Sequence, residues 1–116
     1  MGKPQAMHEP TFLIMTALAG GAQHGYGIMT DVARISEGRV KLRAGTLYAA
    51  LDRLRGDGLV EIDREEIVDG RLRRYYRLTR SGAQVLADEA ERMRANASVA
   101  TRRLKGLATG LAGGAP

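Results

Sequence analysis

The chain has 116 residues, no cysteine, 18 basic against 13 acidic side chains, and a formal net charge of +5. That length suits one domain, and the lack of cysteine excludes disulfides, thiol nucleophiles and thiolate metal sites. No run of about 18 apolar residues is present, so no transmembrane helix and no membrane partner are expected. Residues 1–10 hold no apolar stretch of the kind a secretory signal needs, and a cytoplasmic location is expected.

The charge is unevenly placed. Residues 1–38 are net −1, residues 39–80 net +4 and residues 81–116 net +2. The surplus therefore sits in the middle of the chain, where a polyanion would be met. Of the 18 basic residues, 15 are arginine. Its planar donor fork fits phosphates and guanine edges better than an ammonium does.

In chain order, residues 1–8 read as a flexible leader. Pro10 suits the first turn of a helix, and Gly20-Gly21 ends that helix. Phe12, Leu13, Ile14, Met15 and Leu18 leave it almost no polar face. A helix apolar all round must be covered all round. In so small a protein this predicts that a second subunit packs on Leu13 and Met15. His24-Gly25-Tyr26-Gly27 reads as a tight turn in which His24 hydrogen-bonds, followed by a helix from Ile28 to about Ser36. Its core face is Ile28, Val32 and Ile35. Tyr26 is assigned to the core, with a phosphate contact as the alternative. Val40 and Leu42 alternate in the next loop and suggest a very short strand.

The helix from Ala44 to Gly56 organises the rest. Leu47, Leu51 and Leu54 fall at i, i+4 and i+7 on one face. Gly45, Thr46, Ala49, Asp52 and Arg53 make the other, which is small, polar and partly basic. Such a face lets a backbone approach a partner closely and suits a DNA major groove. Taken alone, it is also the pattern of an ordinary amphipathic surface helix. Next in the chain come a strand from Leu59, an Asp69-Gly70 turn, and a second strand bearing Arg71, Arg73, Arg74 and Arg77. An Asp-Gly pair between such runs signals a hairpin. Tyr76 and Leu78 are expected to point inward. A helix followed by a basic hairpin is the layout of a winged helix–turn–helix. Arg43, Thr46, Tyr48, Ala49, Arg53, Arg71 and Arg73 are the candidate DNA-binding residues.

Thr79 or Ser81 should cap the last helix, with Ser81 to Gln84 fitting a capping box. Ala83, Leu86, Ala90, Met93, Ala97, Ala100, Leu104 and Leu107 then alternate by three and four, the seam of a coiled coil. The dimerisation residues expected are Leu13, Met15, Leu86, Ala90, Met93, Ala97 and Leu104. The alternative is a helix folded back on its own domain. Residues 108–116 read as a frayed tail. The fold class is mainly α with a small β-hairpin: a winged-helix domain over residues 9–79, then a dimerisation helix over residues 80–107.

These residues resemble the PadR family of bacterial transcription regulators. The resemblance rests on His24-Gly25-Tyr26, on Gly45-Thr46-Leu47-Tyr48 with Ala50-Leu51 and Arg53-Leu54, and on Gly58-Leu59-Val60. Gly70-Arg71, the run from Arg73 to Thr79, and Gly82 complete it. It covers roughly residues 9–93. It implies a winged helix, a C-terminal dimerisation helix, and a homodimer that represses by binding an inverted-repeat operator in double-stranded DNA. The short C-terminal segment resembles the smaller subfamily. Arg43-Ala44 stand where the family often has Ser-Pro, Gly27 where it often has an acid, and Leu72 where many wings have Pro. There is no Trp and no aromatic residue in the last helix, which argues against the aromatic-sandwich ligand site of some relatives.

Two other classes of function compete. A winged-helix protein–protein adaptor would lack the basic reading face. An enzyme would need chemistry that is missing: no histidine is paired with a nucleophile, and no carboxylates cluster in an apolar setting. Asp63, Glu65 and Glu66 beside Arg64 read as solvated. No catalytic residue, metal ligand or cofactor is expected. A small apolar effector could lodge at the dimer seam around Met15, Leu86 and Met93 and alter the spacing of the two reading helices.

Overall fold

The computed structural model describes residues 7–112. Residues 1–6 of the expected leader and residues 113–116 of the expected tail lie outside the described residues. The elements in order are α1 (Glu9–Ala19), β1 (Gln23–His24), α2 (Gly25–Ile35), α3 (Ala44–Gly56), β2 (Val60–Val68), β3 (Arg71–Leu78) and α4 (Arg80–Ala112). They form two compact units, Met1–Leu86 and Ala87–Pro116.

In the first unit, α1 starts with Pro10 in its opening turn and is capped by Gly20. Ile14 and Met15 are fully buried and Leu13 is 6% exposed, in a core shared with Ile28, Val32, Leu47, Leu51, Leu54, Val60 and Tyr76. The expectation that a second subunit covers Leu13 and Met15 is therefore corrected. The chain's own helices and sheet bury both, so neither can be a dimer contact or line an effector site. α2 begins three residues earlier than its periodicity suggests, because the His24 side chain caps it. Ile35, expected inside, is exposed. Residues 40–42 form no strand; Val40 and Leu42 pack half-buried against the core.

The sheet is antiparallel with order β1-β3-β2. The β2–β3 hairpin turns through Asp69 (φ 52°) and Gly70 (φ 75°). Two successive positive φ values give the turn whose twist matches that of the flanking strands. Register slips by one residue between Ile62 and Arg64. Tyr76 is buried and Leu78 partly so, as the alternation predicts.

Thr79 fastens the base of this hairpin. Its hydroxyl donates to the Gly58 carbonyl (2.6 Å) and accepts from the Gly82 N–H (3.0 Å), so Thr79 is the cap of α4. Gly82 is buried, and a Cβ there would collide with the Leu59 backbone. A weak helix former at this position is thus the condition for α4 to leave so close to the strand.

In the second unit, the helix runs to Ala112, past the point where the tail was expected to fray. Ala90, Met93, Ala97, Ala100, Leu104 and Leu107 carry the apolar seam, and all six are exposed. Among the described residues, no helix is long and apolar enough to cross a membrane.

Candidate nucleic-acid interface

α3 buries Leu47, Ala50, Leu51 and Leu54 and leaves its opposite face exposed. Arg43 precedes it in extended conformation and gives no side-chain cap. Arg43, Thr46, Tyr48, Ala49 and Arg53 are all exposed on or beside this helix. They do not form one surface. Thr46, Ala49 and Arg53 line a groove of about 460 Å³ whose other wall is the start of α1, including Pro10 and Thr11. Tyr48 lines a cleft of about 630 Å³ with His24, Gly25 and Tyr26 on one side and Arg71 and Arg73 of the hairpin on the other.

Tyr26, assigned to the core from sequence, is 73% exposed in this cleft. The correction has a simple cause. α2 begins at Gly25, and its inward positions are taken by Gly25, Ile28 and Val32. Tyr48, expected to meet DNA, is exposed on one side, but its hydroxyl end lies across Gly25, where any Cβ would strike it. Gly25 therefore allows the phenol ring to bridge α2 and α3. The ring thereby sets the position of the helix that carries it.

The hairpin arginines divide into two groups. Arg77 donates to Glu61 (2.7 Å) and Asp63 (3.2 Å), Arg74 to Glu65 (2.7 Å), and Arg64 to Asp63 and Glu66 (both 3.0 Å). Those hydrogen bonds hold the three guanidiniums above their ordinary pKa range. Arg64 also lies over the Tyr75 ring, 3.9 Å from its centroid. Arg71 and Arg73, nearest the turn, make no salt bridge among the described residues, nor do Arg43 and Arg53. The Asp63–Glu66 acidic cluster is thus matched by arginines at the hairpin's base, while the cations free to meet a polyanion lie at its tip and around α3.

His24 joins these parts. Its Nδ1 accepts from the Gly27 N–H (3.2 Å), and its ring meets Tyr75 edge-on with centroids 5.4 Å apart. Burial, and then the charge of Arg73, push its pKa below the ordinary histidine value. The neutral imidazole is the form that can cap α2. Sequence reasoning missed three participants: Thr11, Gly25 as the seat of Tyr48, and the two-residue strand β1. A strand that short has no alternation to detect. Among the described residues, no three His, Cys, Asp or Glu side chains are grouped to hold a metal.

The chain is similar to known proteins in sequence and in fold. The model of the transcriptional regulator PadR-like family matches residues 14–88. Transcriptional regulator Rv3488 of Mycobacterium tuberculosis is 34% identical over 76 residues, which span 66% of this chain and 67% of that protein. A PadR family transcription regulator from Clostridium difficile R20291 superposes with a TM-score of 0.69 at 26% identity, covering 84% of this chain and 99% of that one. Bacillus subtilis PadR, solved in complex with operator DNA, gives a TM-score of 0.60 at 25% identity, covering 67% of this chain and 44% of that one.

Proposed function

This chain belongs to the PadR-like family of DNA-binding transcriptional regulators, and from that premise we propose that it is a homodimeric repressor of an inverted-repeat operator. In this reading α3 enters the major groove, where the small residues Gly45 and Ala49 permit close approach and Thr46 reaches base edges. Arg43, Arg71 and Arg73 hold phosphates and set the register. The observation that carries the reading is the split among the arginines. Arg64, Arg74 and Arg77 are held in salt bridges by neighbouring carboxylates, whereas Arg43, Arg53, Arg71 and Arg73 make no salt bridge among the described residues. The operator complex of the B. subtilis relative supports it.

Two reading helices must be spaced to match half-sites about one helical turn, ~34 Å, apart. The apolar seam of α4 is the surface a second copy would cover, through Leu86, Ala90, Met93, Ala97 and Leu104. A small apolar ligand lodged on that seam around Met93 would alter the spacing and release the DNA. Sedimentation of the wild type and of Leu104→Glu tests the dimer, and a duplex selected from a random pool tests the DNA. A dimeric wild type that binds the duplex, and a monomeric variant that loses it, are expected. A wild type that is monomeric at micromolar concentration and ignores duplex DNA in dilute salt would sink the proposal. Placing the selected duplex over a promoter distinguishes repression from activation.

A further inference from the structure

We propose that Arg53 and Thr11 form a second phosphate contact, on the α1 flank of the reading helix, so that Arg53 grips the duplex rather than reading it. The inference rests on the DNA-binding function proposed for the chain and changes the role given to Arg53 by its place in the sequence.

Arg53 lies seven residues beyond Thr46, which is about 10 Å further along the helix axis. Base edges are read chiefly from the N-terminal part of such a helix. The Arg53 side chain is also turned sideways. Its Nη2 donates to the hydroxyl of Thr11, 42 positions earlier in the chain, at 3.4 Å. The two side chains thus bridge α3 to the first turn of α1, at the edge of the groove floored by Gly45 and Ala49. Nothing would lie within 4 Å of a Cβ at Gly45, so the floor is open enough for a sugar–phosphate backbone.

The chemistry of the pair is one-sided. The guanidinium keeps further N–H donors, and the Thr11 hydroxyl, accepting from Arg53, still has its proton to give. Two donors converging beside one positive charge suit a ligand that only accepts, which describes a phosphate oxygen. A guanine edge also only accepts, but the sideways reach of Arg53 to Thr11 turns the pair away from the base-reading end of the helix and towards the backbone. No carboxylate cancels the charge: the acid nearest in sequence on α1, Glu9, is held by Arg39 at 2.9 Å. With Arg71 and Arg73 on the far side of α3, the duplex would be held on both flanks of the helix that reads it.

The test compares two duplexes of equal length, one selected by the wild type from a random pool and one scrambled from it. Binding is measured by fluorescence anisotropy from low to moderate salt for the wild type, Arg53→Ala, Arg53→Lys and Thr11→Val, each checked for an unchanged melting temperature. Arg53→Ala is expected to weaken both duplexes alike, by about tenfold or more. It should also flatten the log–log salt dependence by about 0.9 for each bound chain, while Arg53→Lys keeps the slope. Thr11→Val should weaken both duplexes by a smaller common factor without changing the slope. Loss confined to the selected duplex with the slope intact would make Arg53 a base reader and overturn the inference alone, as would wild-type binding by Arg53→Ala. A wild type that binds neither duplex would overturn the DNA-binding reading as well.

Discussion

Replacing Gly82 by alanine sets two effects of known size against each other. In an exposed helix interior the change is favourable by about 1 kcal/mol, because glycine loses more backbone freedom on folding. At position 82 the added methyl would lie 2.9 Å from the Leu59 carbonyl carbon and 3.2 Å from its Cα, with the carbonyl oxygen closer still. These are backbone atoms held by the Thr79 N–H to Leu59 carbonyl bond (3.1 Å) and the Leu59 N–H to Leu54 carbonyl bond (2.9 Å), so they cannot swing aside as a side-chain tip would. Overpacking of this kind costs about 1–3 kcal/mol, and a backbone obstacle belongs at the upper end. The clash wins, leaving a net loss of about 2 kcal/mol, or a fall in melting temperature of roughly 10 °C for a domain of this size. Gly106 in the same helix is the control: it is exposed, off the apolar seam, and has nothing within 4 Å of where the methyl would stand. Its replacement by alanine should stabilise the helix. Thermal and urea unfolding followed by circular dichroism measure both. If Gly82→Ala melted at or above the wild-type temperature, the close approach of α4 to Leu59 would be wrong.

The same geometry has other consequences. Gly25→Ala should push the Tyr48 ring from its seat and weaken operator binding. Adding Tyr48→Ala should relieve the strain, so the double variant is more stable than the two single losses sum to. His24 has a lowered folded-state pKa, so the unfolded chain takes up its proton first as pH falls. Its contribution is therefore complete above the ordinary histidine value, about 6.5, and is lost as pH drops below it towards the depressed folded value. His24→Asn, which can still cap α2, should remove that part of the pH dependence seen in melting curves. Arg73→Ala should weaken all duplexes alike and flatten the salt dependence by about 0.9 per bound chain, whereas Arg77→Ala, already paired with Glu61 and Asp63, should leave it nearly unchanged.

Much of the architecture is legible in the chain itself because it depends on neighbours. The three-and-four spacing of Leu47, Leu51 and Leu54 reveals α3, the Asp69-Gly70 pair reveals the hairpin turn, and alternation around Tyr76 shows which side of β3 is buried. Each of those signals is complete within a few residues. The remainder required segments far apart in sequence to meet. Met15 is covered by the chain's own helices and sheet rather than by a partner, and Tyr26 is turned outward because α2 starts a turn early under the His24 cap. Tyr48 and Gly25 were separate motifs until the fold laid one across the other. The fifteen arginines look alike in a row of letters. Only the folded chain separates Arg77, salt-bridged to Glu61 across the hairpin, from Arg73, whose cross-strand neighbour Glu66 is bonded to Arg64 instead, and sets Arg53 beside Thr11. Periodicity reports which way a side chain points, but charge pairing and burial depend on what stands opposite, and that is decided in three dimensions.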